Sequence, residues 1–273
     1  MADNKGLFRS VEQQKAAMLV VRQIEELILT GVYRPGDRLP AERALEKKLD
    51  VSRPTLREAI RNLEERGLVI IRQGDGTRIA DVTGSMFGEP IIELFRANSR
   101  ATRDYLEFRR EIEAIAAGYA ARRATPADRE IILHFFNRLE DAHEARKTKA
   151  VNGRDETARE AENDIGFHAA IGEASHNIVL IHTLRSCYQL LRNDVFCNRN
   201  LLYNLAGRRE LLLEQHRAIC EAVLSGNVKA AEQAAADHIQ YVEDAMLDAS
   251  QYKRRQSTSA QRLEKLKQTV GKV

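Results

Sequence analysis

No stretch of this sequence approaches the ~20 consecutive apolar residues that a membrane-spanning helix requires. The opening segment, MADNKGLFRS, lacks the apolar core of a secretory signal, so a cytoplasmic location is expected. Cysteine is scarce: Cys187, Cys197 and Cys220 are odd in number and have no CxxC spacing, which fits buried thiols in a reducing compartment better than a disulfide framework. Excess charge is missing too. The formal net charge is only +3, so nucleic-acid binding has to be argued from where charges sit and not from how many there are. There is no internal repeat of fixed period.

What is present is a 273-residue chain with 43% hydrophobic and 30% charged residues, enough for two globular domains with separate cores. The most informative stretch is LDVSRPTLREAIRNLEERGLV, Leu49 to Val69. On a helix, Leu56, Ala59, Ile60 and Leu63 recur at i, i+3, i+4 and i+7, while Arg53, Arg57 and Arg61 follow at i+4 along the adjoining face. One side is buried and the other is cationic. Ser52 is a good N-cap, Pro54 suits a first turn whose N–H groups have no partner, and Gly67 suits the end. Ser52, Arg53 and Thr55 therefore gather at the positive end of a helix, where phosphates and base edges are favoured, and an arginine there can grip a guanine edge with two bonds.

Around this helix, Gln13 to Thr30 carries an apolar stripe of Val20, Ile24, Leu27 and Ile28, and a short helix is expected from Ala41 to about Leu49. Leu68 to Arg72 and Thr77 to Ala80 read as two strands joined across Gln73-Gly74-Asp75-Gly76. The whole run from Pro35 to Ile79 resembles the winged helix-turn-helix of the GntR family of bacterial transcription regulators, and its FadR-type branch in particular. In that family's docking mode Arg43 would reach the DNA backbone and Gln73 and Gly74 would approach the minor groove at the tip of the wing. Arg57 joins Ser52, Arg53 and Thr55 as a DNA-facing candidate. Asp75 is expected to point away from phosphate.

DVTGSMFGEP, Asp81 to Pro90, is read as the linker between a DNA-binding domain at 1–80 and a second domain at 91–249. The second domain has no convincing strand. Segments beginning at Ile91, Thr102, Pro126, Ala158, Asn177, Arg208 and Val228 all suit helices, and an antiparallel bundle of six or seven helices is expected. The fold class is thus mainly α, a winged helix-turn-helix with a small hairpin plus a helical bundle. It resembles the C-terminal effector domain of the FadR-type branch. Charged Lys147 to Glu160 reads as a long solvated connection, and the basic tail at 250–273 as a solvated, partly disordered end in preference to a second DNA contact.

Inside the bundle, Asp164 and His168 share a helix face at i, i+4, and His216 and His238 sit on the apolar stripes of two further helices. A carboxylate with three imidazoles suits a divalent transition metal; zinc is favoured, and nickel, manganese and iron fit the same donors. The spacing resembles the metal-binding subset of this effector domain. Arg109 and Glu113 share a face at i, i+4 near the start of the bundle, as an ion pair or with Arg109 forking onto an effector carboxylate. Asn177 reads as an effector contact or an N-cap.

The expectation is a transcription regulator, of the repressing kind, that binds a palindromic operator in double-stranded DNA as a homodimer and has no membrane partner. The resemblance to regulators of pyruvate dehydrogenase and lactate-utilisation genes implies pyruvate, lactate or a related 2-hydroxy or 2-oxo acid as effector. The alternatives are a metal-dependent hydrolase with an accessory DNA-binding domain and a general nucleoid-binding protein.

Overall fold

The computed structural model describes residues 11–72, 74–81, 89–96, 98–148, 154–192 and 207–270. They fall into two compact units divided between Gly84 and Ser85.

In the first unit, α1 (Val11–Leu29), α2 (Glu42–Leu49) and α3 (Arg53–Glu65) precede a hairpin of β1 (Val69–Arg72) and β2 (Gly76–Ile79). Val20, Val21, Ile24 and Ile28 of α1 pack with Leu45 of α2 and with Leu56, Ala59, Ile60 and Leu63 of α3, and Val69 and Ile79 close the same core. The strands pair antiparallel from Val69↔Ile79 to Arg72↔Gly76. The first starts one residue later than expected and ends at Arg72 as expected, and the second is shifted one residue earlier. Gly67 adopts a left-handed φ of 70°, and the Leu68 N–H returns to the Leu63 carbonyl at 2.9 Å, so Leu68 finishes the helix before the strand begins.

The second unit contains, among the described residues, seven helices: α4 (Glu89–Arg96), α5 (Ser99–Arg123), α6 (Pro126–Thr148), α7 (Arg154–Ala174), α8 (Ile178–Arg192), α9 (Arg208–Leu224) and α10 (Val228–Val270). Connections of two or three residues after α5, α7 and α9 fold successive helices back on one another. Two apolar clusters form the core, one around Leu106, Leu184, Leu191 and Ile239, the other around Ile132, Phe136, Phe167, Ile219 and Val223. Small buried residues on both sides, Ala116, Ala117 and Ala120 of α5 and Ala231 and Ala235 of α10, let those two long helices lie close together.

Two expectations need correction. The charged stretch Lys147 to Glu160 is not one long connection, because α6 runs to Thr148 and α7 starts at Arg154. The described part of the basic tail is helical: α10 continues as one helix to Val270. No glycine or proline interrupts it between Val228 and Val270, and a helix already nucleated by packing propagates cheaply through Lys, Arg, Gln and Leu.

Candidate functional site

The reading helix is built from its first turn. Ser52 caps α3 by accepting the Thr55 N–H at 3.4 Å, and the two hydroxyl oxygens lie 2.8 Å apart. Thr55 itself is buried and is held by the Ser52 cap. Arg53, Arg57 and Arg61 stand exposed along one edge. Glu42 of α2 accepts from Arg57 Nε at 3.1 Å and lies 3.9 Å from Arg53, and Glu46 lies 3.8 Å from Arg53, so the two arginines are loosely aimed by α2 while staying in water. Such exposed pairs add little stability. Arg43 is exposed on the same helix as those acids. At the hairpin tip Gly74 has a φ of 82° and nothing near the place of a Cβ, leaving open backbone. Gln73 lies outside the described residues. Asp75 is turned onto Arg78, accepting at 2.6 and 2.9 Å, which takes its charge off the tip.

In the second unit, Asp164 and His168 on α7, His216 on α9 and His238 on α10 converge: one donor atom from each lies within 4.8 Å of all the others. His216 Nε2 is 3.1 Å from Asp164 Oδ1 and 3.2 Å from His168 Nε2. Bonds of about 2.0–2.2 Å to a single ion set donors roughly 3–4 Å apart, so the closer pairs already fit one ion and the wider ones, at up to 4.8 Å, would have to draw in. The three imidazoles are buried and Asp164 is the most open of the four.

A second layer aims these rings. His168 Nδ1 lies 2.7 Å from Glu113 Oε2, and His238 Nδ1 lies 3.1 Å from Gln215 Oε1. Both oxygens accept, so each Nδ1 carries the proton and each Nε2 is left with its lone pair for an ion. Burial pushes the Glu113 carboxyl up, but Arg109 and His168 outweigh it and hold it below the ordinary carboxylate range. Burial, only partly offset by Asp164, lowers His216. Burial with the neighbouring His216 and His168 puts His238 well below the usual imidazole value. Two of the three rings are therefore held neutral, the form that ligates.

Arg109 is not among the residues lining the cavity beside Asp164 and His216. It is buried, ion-paired with Glu113, and its guanidinium sits 5.7 Å from the centre of the Tyr188 ring. The ion pair of the plainer expectation is present, and a buried guanidinium needs such a carboxylate. Asn177 caps α8, accepting the Leu180 N–H at 3.1 Å, and is neither in the donor cluster nor in the cavity beside it. That cavity is bordered by Asp164 and His216 on the metal side and by His143, Glu160 and Arg209. Arg209 donates to both Glu160 oxygens, at 3.0 and 3.2 Å. Glu160 lies four residues before Asp164, and Arg209 and Gln215 precede His216 on its helix, but the Arg209–Glu160 and Gln215–His238 contacts join different helices, and local spacing does not encode them.

Residues 17–79 match the family described as bacterial regulatory proteins, gntR family, and residues 104–241 match the FCD domain. The Glc operon transcriptional activator of Escherichia coli strain K12 is 35% identical over 237 residues, spanning 87% of this chain and 91% of that protein. The chain belongs to the GntR family. Within it, the putative L-lactate dehydrogenase operon regulatory protein of the same organism is 34% identical over 83% of this chain and 84% of its own length. The transcriptional regulator LutR of Bacillus subtilis is 30% identical over 81% and 96%. A GntR protein of Streptococcus agalactiae of known structure aligns with a TM-score of 0.50 at 26% identity, covering 84% of this chain and 99% of that one. As a GntR protein the chain is a DNA-binding transcriptional regulator and not an enzyme, which removes the hydrolase alternative. Among the described residues no helix is long and apolar enough to cross a membrane.

Proposed function

We propose that this GntR-family protein is a homodimeric, cytoplasmic regulator whose hold on a palindromic operator is set by a small 2-hydroxy or 2-oxo acid bound beside a metal ion in the helical unit. The observation that carries the reading is the convergence of Asp164, His168, His216 and His238 from three helices next to a cavity that also presents Arg209. Three imidazoles and one carboxylate would hold a divalent ion such as zinc, with nickel, manganese and iron suiting the same donors. Such an ion would supply a Lewis-acidic centre for an acid's oxygens, while the chain positions the donors, keeps His216 and His238 neutral and packs Phe167 and Tyr188 against the imidazoles. That one relative is named for an L-lactate dehydrogenase operon supports a small hydroxy acid over a long acyl chain, and a polar, cation-bearing cavity suits an acyl chain poorly.

On the DNA side, Arg53 and Arg57 would read base edges from the start of α3, with Ser52 and Arg43 on phosphate and the Gln73-Gly74 tip in the minor groove. Two half-sites read by two copies multiply the affinity of one module. Coupling between acid and DNA need supply only ~1–3 kcal/mol to change occupancy.

The test is a mobility-shift titration of metal-loaded protein on a palindrome selected from a random duplex pool. Addition of lactate or pyruvate is expected to lower operator occupancy, the behaviour of a repressor, and to do so only with metal present. Occupancy indifferent to every small hydroxy or oxo acid would defeat the reading.

A further inference from the structure

The last part of α10 differs from everything else in the chain. Helix α10 is packed into the core through Ile239, Val242 and Ala245, yet from Gln251 to Leu266 every residue whose side chain is described is exposed. Charge changes at the same place. Seven of the 43 Lys and Arg residues and one of the 40 Asp and Glu residues lie beyond Ser250, so this short stretch carries six net positive charges in a chain whose total is +3. The remainder of the protein is therefore net negative.

The charges are also arranged. At about 100° per residue, Arg254, Arg255, Arg262 and Lys265 fall within roughly a quarter of the helix circumference, with Thr258 between them and Gln261 just beside them. The one acid, Glu264, lies outside that arc. Tyr252, Leu263 and Leu266 occupy a separate stripe whose intervening positions, Gln256 and Ser259, are polar. A seam so interrupted is a poor self-pairing surface, and pairing two copies along it would bring two strongly cationic helices together. A row of cations on a rigid helix, spread over about 16 Å between Arg254 and Lys265, is instead matched to a regular array of negative charge.

We propose that residues 251–270 form a second DNA contact, an arm whose cationic face lies on duplex phosphates without reading sequence. Arg254, Arg255, Arg262 and Lys265 are its contacting side chains. The arm adds affinity and salt dependence to whatever α3 selects. The partner class follows from the charge arrangement and from the family's DNA binding, and it does not depend on the acid or the metal.

The experiment compares the full chain with the variant carrying Arg254→Gln, Arg255→Gln, Arg262→Gln and Lys265→Gln, since glutamine preserves helix propensity. Binding to a fluorescent random-sequence duplex is measured by anisotropy across a salt series, with circular dichroism and sedimentation on both proteins. The expected result is an affinity loss of at least tenfold at low salt and a log–log salt slope smaller by about three to four, near 0.9 for each phosphate no longer neutralised. Helicity and oligomeric state should not change. Equal slopes and affinities for the two proteins would overturn the proposal. So would a variant that loses DNA only by changing its oligomeric state, which would make the arm a self-association element. Tighter binding of the unaltered chain to anionic lipid vesicles than to duplex at matched phosphate would overturn it in favour of a membrane surface.

Discussion

Glu113 on α5 and His168 on α7 meet at 2.7 Å, and through that contact a buried ion pair on one helix fixes the tautomer of a donor on another. Because Arg109 holds Glu113 ionised, the carboxylate can only accept, and His168 must turn its other nitrogen toward Asp164 and His216. Replacing Glu113→Gln should weaken metal affinity about 10–100-fold by calorimetry on the folded protein. The same change leaves Arg109 buried without its partner, and a loss of about 3–5 kcal/mol is expected from urea unfolding. Unchanged metal affinity in a folded E113Q protein would show that the contact does not orient the ligand.

The first turn of α3 separates two kinds of residue that look alike in sequence. Arg53→Ala should lower specific operator affinity by about 1–3 kcal/mol per half-site and leave thermal unfolding unaltered, since the side chain is exposed and its acidic neighbours are distant. Thr55→Ala should do the reverse. Removing a buried hydroxyl that holds the Ser52 cap is expected to cost about 1 kcal/mol of stability, with DNA affinity following only as far as the fold does. Mobility shifts and melting curves on both variants decide it.

Acid should unfold the metal-free protein earlier than an ordinary chain. His216 and His238 are held below the usual imidazole value of 6.5, so the unfolded chain takes up protons as pH falls through that value while the folded one resists. Stability is then fully present above about 6.5 and lost as pH drops toward the depressed folded values. Urea midpoints measured at pH 7.5 and 5.5 should fall at the lower pH, and His238→Gln should flatten the difference. An equal drop in the variant would mean that other groups carry the effect.

How much of this was readable in advance follows from the range of each interaction. The start of α3 was legible because Ser52, Pro54 and the apolar stripe act within one or two turns. Asp164 and His168 were legible for the same reason, and His216 and His238 because each continued an apolar stripe that had to face inward. Glu113 was visible only as a partner for Arg109; its hold on His168 depends on how α5 packs against α7, which no local period encodes. The Arg209–Glu160 pair was hidden further still, since Glu160 lay in a stretch that read as a connection. The end of α10 was misjudged because the expectation weighed its charge and not its freedom from helix breakers.

The most direct test of the account is calorimetric titration of L-lactate into the zinc-loaded protein, the metal-free protein and His216→Ala. Saturable binding to the zinc-loaded protein alone is the predicted result. Equal heats from all three would contradict a metal-dependent acid site in the helical unit.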